Sequence, residues 1–336
     1  MSTALVMLLG LVGLVVGAEL LVRGGAGIAT RLGITPITVG LTVVALGTSM
    51  PELAVGIDAA RRDSAGLAVG NIVGTNLVNL LLILGLSAAI RPISLASRTL
   101  RFDLPSMTAA AVLVFVMGRD GTLSTFEGAV LVALGIAYTY GVLRAGRADA
   151  AEAGGAEAGA VSPGDNRAGG DRAGDDRAAV PRPGGAVRDA AALVGGLVII
   201  VVGADLLVRG AVDAASALGV SDAVIGLTVV AIGTSAPELV TTVISTIRGD
   251  RDLALGNLLG SSVYNLVFIL GATVIVAPGT VRVPDEVLAA DLVLMAVVAL
   301  ACVPVFLTGR RINRWEGGAF VAAYGVYLAW LVTARA

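Results

Sequence analysis

The fold class this sequence predicts is an all-α polytopic membrane protein: ten transmembrane helices, arranged as two inverted five-helix repeats with broken helices at midplane. Three observations predict it. The 336 residues are 56% hydrophobic and only 14% charged, with a mean hydropathy of +0.91, whereas soluble domains carry about 25% charged residues. Apolar runs long enough to cross a bilayer recur from one end of the chain to the other. The two halves of the chain also repeat one another, and each holds an odd number of runs.

In order, the runs are 4–22, 34–60, 66–90, 103–118, 126–143, 189–208, 220–247, 252–277, 286–307 and 316–333. A span takes about 20 residues, or about 17–25 with tilt, and the fourth run is the shortest. The first lacks a basic leader and continues into "GAELLVRG" without a cleavage site, so it reads as a span and not as a signal peptide. After the fifth run, residues 145–188 are rich in Ala and Gly, carry both charge signs and hold almost no large apolar side chain. Such a segment cannot bury enough surface to offset its ordering entropy and reads as a flexible tether. The expected domains are therefore 1–144, the linker 145–188, and 189–336.

Arginine is the only basic side chain used. With ten spans and the N-terminus outside, 17 arginines fall on the linker side and six on the other; without the linker the ratio is still 10 to six. The positive-inside rule then places the linker in the cytoplasm and both termini outside a cell membrane. A net charge of −2 offers nothing to attract nucleic acid, and the absence of histidine leaves carboxylates as the route for any proton coupling. Cys302 stands alone in an apolar run, so no disulfide framework exists. The partners expected are lipid and inorganic cations. The sequence leaves the oligomeric state open, a monomer sufficing.

The repeat is direct. Gly17-Ala-Glu-Leu-Leu-Val-Arg-Gly returns as Gly203-Ala-Asp-Leu-Leu-Val-Arg-Gly, an offset of 186, and 12 of 14 positions agree between 40–53 and 226–239. The same offset carries "GNIVGTNLVN" (70–79) onto "GNLLGSSVYN" (256–265) and Gly85 onto Gly271. Phe126-Glu127-Gly128 answers Trp315-Glu316-Gly317 at an offset of 189. Five spans per half force the second copy to cross in the opposite sense, an architecture common among transporters, with the binding site where discontinuous helices meet.

Within the second and seventh runs, "VVALGTSMPEL" and "VVAIGTSAPEL" each hold a proline and a glutamate at membrane depth. Pro51 and Pro237 lack an N–H and clash with the carbonyl four residues back, freeing the carbonyls of Gly47 and Gly233 and loosening those of Thr48 and Thr234. Loose backbone is tolerated there only when buried in protein or lining an aqueous cavity. Each break thus offers carbonyls, two hydroxyls (Thr48 and Ser49; Thr234 and Ser235) and one carboxylate, the oxygen ligands that Ca²⁺ and Na⁺ prefer. A divalent cation between Glu52 and Glu238 neutralises two acids that cost about 2.5–3.5 kcal/mol each at mid-span. Thr75 with Asn79, and Ser261 with Asn265, add polar groups at i, i+4, while Gly70, Gly74, Gly256 and Gly260 suit close helix contact. Glu19 with Arg23 and Asp205 with Arg209 read as structural pairs near helix ends, and Glu127 and Glu316 as helix-opening acids. Asp58 and Asp63 lack acidic counterparts and are expected at a solvent boundary.

"GTSMPEL" with "GNIVGTNLVN", repeated as "GTSAPEL" with "GNLLGSSVYN", resembles the paired α-repeats of the calcium/cation antiporter superfamily, closest to its sodium/calcium exchanger branch. The resemblance implies Na⁺/Ca²⁺ exchange by alternating access, without a cofactor and without enzymatic chemistry, as the first and sixth spans slide past a fixed core. It implies that Glu52 and Glu238 are the principal Ca²⁺ ligands, joined by the backbone carbonyls of Thr48 and Thr234. Sodium would use Ser49, Ser235, Thr75 and Ser261 with the carbonyls of Ala45 and Ala231, and Asn79 and Asn265 would sit at the centre. The motif departs from the family pattern at Thr75 and Ser262, and potassium-dependent relatives carry an aspartate where Asn265 stands. The rival readings are a proton-coupled Ca²⁺ or other divalent-cation antiporter, a passive cation channel, and a membrane protein that keeps the site without turnover.

Overall fold

The computed structural model describes residues 3–61, 65–160, 185–217 and 231–335. Apolar composition without strand alternation, in a solvent that cannot satisfy backbone groups, leaves the helix as the local solution. In the first half these are α1 (Thr3–Leu32), α2 (Pro36–Thr48), α3 (Met50–Arg61), α4 (Ala65–Ile90), α5 (Thr99–Gly118) and α6 (Thr125–Ala160). The second half holds α7 (Gly185–Ala217), α8 (Ala231–Thr234), α9 (Ala236–Arg248), α10 (Arg251–Val276), α11 (Val287–Arg310) and α12 (Arg314–Arg335). Among the described residues eight helices are long and apolar enough to cross a membrane, and the pair α2 and α3, bent by 40°, makes a ninth candidate. The first part of the seventh run and most of the expected linker lie outside the described residues.

Several helices outrun their apolar runs. α1 continues to Leu32, so Glu19 sits near its middle and not near its end; Asp205 is likewise interior to α7. Glu127 and Glu316 open their helices as expected, and each also caps: Glu127 accepts from the Ser124 N–H and hydroxyl, both at 2.8 Å, and Glu316 from the Asn313 N–H at 2.8 Å. Asp58 is exposed, and Asp63 falls outside the described residues.

The halves interlock. α4 of the first half crosses α12 of the second, and α6 crosses α10. The glycines that echo in the sequence are the crossing points. A Cβ on Gly85 would stand 2.8 Å from the Gly317 carbonyl, and one on Gly128 would stand 3.0 Å from that of Gly271. Two short antiparallel ribbons add a clamp at each end: β1 (Ile93–Ser94) pairs with β4 (Arg311–Ile312), and β2 (Thr122–Leu123) with β3 (Val281–Arg282). One large apolar cluster runs through α2, α4, α5, α6, α10 and α11. Outside it, α1 and α7 pack along most of their lengths, antiparallel, in a second and smaller cluster.

Candidate cation site

Both helix breaks fall on the motif serines. Ser49 (φ −84°, ψ 7°) separates α2 from α3, and Ser235 (φ −86°, ψ 6°) separates α8 from α9. The proline two residues on starts a new helix, where a missing N–H costs nothing. Glu52 and Glu238 therefore lie in the first turns of α3 and α9, where the N-terminal helix dipole favours negative charge. Both are fully buried.

Ser49 Oγ donates to Glu238 Oε1 at 3.2 Å, linking the break of one half to the acid of the other. The Thr48 hydroxyl stands 3.2 Å from Asn257 Oδ1 and 3.3 Å from both the Ala45 carbonyl and the Ser261 hydroxyl. Ser261 Oγ also reaches the Ala45 carbonyl at 3.3 Å. Thus Ala45, Thr48, Ser49, Ser261 and Glu238 form one connected group. Gly256 and Gly260 make this possible, because a Cβ on Gly256 would meet the Ile37 carbonyl at 2.6 Å and one on Gly260 the Leu41 carbonyl at 2.8 Å. Gly70 and Gly74 show no such backbone contact; the partners expected from the repeat fall in the undescribed part of the seventh run.

Asn79 and Asn265, fully buried, sit at the start of π-helical segments, Val78–Ile83 in α4 and Asn265–Ile269 in α10. A π-turn widens the helix and re-aims side chains, and such bulges concentrate at functional positions. A third π segment, Gly40–Val44, leads into Ala45. Neither amide of Asn79 or Asn265 has a hydrogen-bond partner among the described residues, nor do the hydroxyls of Thr75, Ser235 and Ser262 or both oxygens of Glu52 and Oε2 of Glu238. Buried polar atoms are almost always paired; α9 packs on the π segment that holds Asn79 and α3 on the one that holds Asn265, so these unmet oxygens and amides sit on touching helices, as a site built for water or an ion requires. Thr234 ends α8 beside this group and Ala231 begins it. No group of three or more acidic, histidine or cysteine side chains converges among the described residues, so the carboxylate charge is that of Glu52 and Glu238 alone.

The motif asparagine Asn257 joins the site although its place in the sequence predicts no role for it. Asn257 bridges two helices' hydroxyls, accepting from Thr48 and donating to Thr242 Oγ1 at 3.0 Å. The doubled "GN" was the signal available. Asp103 and Asp291, both buried, also went unread; Asp291 accepts from the Tyr327 hydroxyl at 3.1 Å, away from the site.

Comparison with known proteins extends this geometry. The sequence profile of the sodium/calcium exchanger protein family matches residues 2–144 and 189–333. The chain is 34% identical to the putative antiporter CaxA of Alkalimonas amylolytica over 94% of each chain. It is 35% identical to the sodium/calcium exchanger MaX1 of Methanosarcina acetivorans over 96% of this chain and 97% of that one. Among solved structures, the sodium-calcium exchanger NCX_Mj superimposes with a TM-score of 0.79 at 29% identity, covering 98% of both chains.

Proposed function

The chain belongs to the sodium/calcium exchanger protein family, and we propose that it exchanges Na⁺ for Ca²⁺ across the cell membrane by alternating access. A membrane antiporter of cations including Ca²⁺ is the shared character of the family and of the structural neighbour; Na⁺ as the coupling ion is our reading. One observation carries it: two fully buried glutamates, one at each helix break, leave three of their four oxygens without a protein partner among the described residues.

Under this reading Glu52 and Glu238 share a Ca²⁺ ion, whose two positive charges cancel theirs, and the carbonyls of Thr48 and Thr234 add to the 6–8 oxygens that Ca²⁺ takes. Sodium ions occupy the same carboxylates together with the hydroxyls of Ser49, Ser235, Thr75 and Ser261 and the carbonyls of Ala45 and Ala231. Asn79 and Asn265 contribute neutral dipoles at the centre. Because the carboxylates cannot serve both ions at once, each load must displace the other, and that competition couples their movements without ATP. The full architecture we infer is ten spans in two inverted five-helix repeats, 1–144 and 189–336, joined by a cytoplasmic linker at 145–188, with both termini outside. A monomer holds the whole site.

The test is ⁴⁵Ca²⁺ uptake into proteoliposomes loaded with Na⁺ or with choline, at equal pH on both sides. Uptake that requires internal Na⁺ is expected. Equal uptake from both loads overturns sodium coupling, and dependence on an imposed pH gradient would assign the proton-coupled alternative.

A further inference from the structure

The two halves differ along the helices that follow the glutamates. On α9 the residues after Glu238 include Thr241, Thr242, Ser245 and Thr246, all buried. The 186 offset carries these onto Val55, Gly56, Ala59 and Ala60 of α3, which have no hydroxyl at all. Hydroxyls at membrane depth usually bond back to the carbonyl four residues earlier, and Thr246 does so, to Thr242 at 2.8 Å, as do Thr42 and Thr273. Thr241 and Ser245 do not: each is 0% exposed and without a partner among the described residues. The same holds for Ser87 on the C-terminal half of α4, which packs on α9. Packing alone does not ask for hydroxyls at 241 and 245, since the matching positions on α3 are Val55 and Ala59.

Their spacing describes a route. At 1.5 Å per residue, Thr241 lies about 4.5 Å along the helix from Glu238, Ser245 about 10.5 Å, and Arg248 about 15 Å, which is half the thickness of a hydrocarbon core. The ladder therefore leads from the site to one surface. In this conformation α1 packs on a neighbouring face of α9, where Ala18, Leu21 and Val22 join Ala236, Val240 and Ile244 in one apolar cluster, and Glu19 pairs with Arg248 at the outer end. The equivalent stretch of α3 is more open, with Val55 41% exposed.

We propose that Thr241 and Ser245 of α9, with Ser87 of α4, line a cation passage from Glu238 to the end of the molecule that carries Arg248, and that the Glu19–Arg248 ion pair closes it in the conformation described. This rests on the alternating-access reading above and assigns one of its two routes. Hydroxyl oxygens replace part of a cation's hydration shell without binding it tightly, which suits a route better than a resting site.

The test uses the full chain in proteoliposomes with Cys302→Ala, so that an introduced cysteine is the only one. Ser245→Cys is exposed to a membrane-impermeant cationic thiol reagent from either side, alone and with Glu19→Gln. Labelling is expected from the Arg248 side only, faster by about fivefold once Glu19→Gln removes about 1 kcal/mol of closing interaction. Ala299→Cys, in the packed core, is the unreactive reference. A Ser245→Cys rate equal to that reference in both backgrounds, or labelling from the opposite face, overturns the passage. The near-isosteric pair Thr241→Val with Ser245→Ala gives a second measurement: exchange slows by about threefold or more while equilibrium ⁴⁵Ca²⁺ binding is unchanged. Unaltered exchange in that variant also overturns it. Labelling does not depend on which ion drives transport, so the passage and sodium coupling fail separately.

Discussion

At the residue scale the central fact is an uncompensated pair of acids. Among the described residues no ion pair joins a basic side chain to Glu52 or Glu238, and Glu238 takes a neutral hydroxyl, that of Ser49, as a donor. Replacing one acid with its amide removes both a ligand oxygen's charge and half the attraction for a divalent ion. Glu52→Gln and Glu238→Gln should each lower Ca²⁺ affinity by about 100-fold, roughly 2.7 kcal/mol, read by ⁴⁵Ca²⁺ binding, and retained calcium flux in both variants would dismiss the site. Asn257 acts one step back. Asn257→Ala leaves the Thr48 and Thr242 hydroxyls without their amide and should cost about 1–3 kcal/mol of thermal stability, while Asn257→Gln keeps the chemistry but misplaces it. A raised KM for Ca²⁺ in both, with Glu52 and Glu238 intact, would mark Asn257 as positioning the break; an unchanged KM would leave it only a structural role. The acids, prolines and hydroxyls of this site were legible in the chain because each is out of place in lipid and each occurs twice. Asn257 was not, because an amide beside glycine at a helix crossing carries no local sign of the helix it will meet 209 residues away.

At the element scale, helices were legible from apolar runs, and their ends were not. α1 and α7 run past their apolar stretches because each covers the other, so polar residues such as Arg31 and Asp189 find one another at 2.7 Å instead of ending the helix. The π segments at Asn79 and Asn265 left no mark in composition either; they arise where tertiary packing asks a helix to take one extra residue per turn. The α1–α7 seam has a plainer cause. Gly10, Gly17 and Gly24 recur every seven residues, as do Gly196, Gly203 and Gly210; Gly10 meets Gly203 and Gly17 meets Gly196, while Gly24 meets the Leu193 and Asp189 backbone and Gly210 meets Met7. A Cβ at Gly17 would stand 2.7 Å from the Ile200 backbone nitrogen, and one at Gly203 would stand 2.8 Å from that of Leu14. Close backbone approach of this kind drives helix association where lipid offers no hydrophobic gain. Gly17→Ala should therefore cost about 1–3 kcal/mol through overpacking, seen as a lower melting temperature in detergent. Gly318→Ala, on the exposed face of α12 with nothing within 4 Å, should change stability by less than about 0.5 kcal/mol. Equal effects at the two positions would show that the seam is not tightly packed.

At the scale of the molecule, these contacts divide the described helices into two bodies. One is the core of α2 to α6 and α8 to α12, in which the halves are locked by two glycine crossings, two β-ribbons and one apolar cluster. The other is the α1–α7 pair, joined along its seam and by the Arg31–Asp189 bridge. Between the bodies stand a smaller apolar cluster and the Glu19–Arg248 pair. If transport moves the pair against the core, a bond within the pair must be harmless and a bond between the bodies must not. In a Cys302→Ala background, Met7→Cys with Gly210→Cys places two thiols within the seam, where a Cβ on Gly210 approaches the Met7 side chain. That disulfide should leave most of the exchange intact. Glu19→Cys with Arg248→Cys, bridged by a short bifunctional thiol reagent, ties α1 to α9 and should stop exchange, and a reducible version of the reagent should restore it on cleavage. Exchange that survives the second link would mean that the pair and the core move as one body, and the route past Glu238 would then have to open by a change within α9 itself.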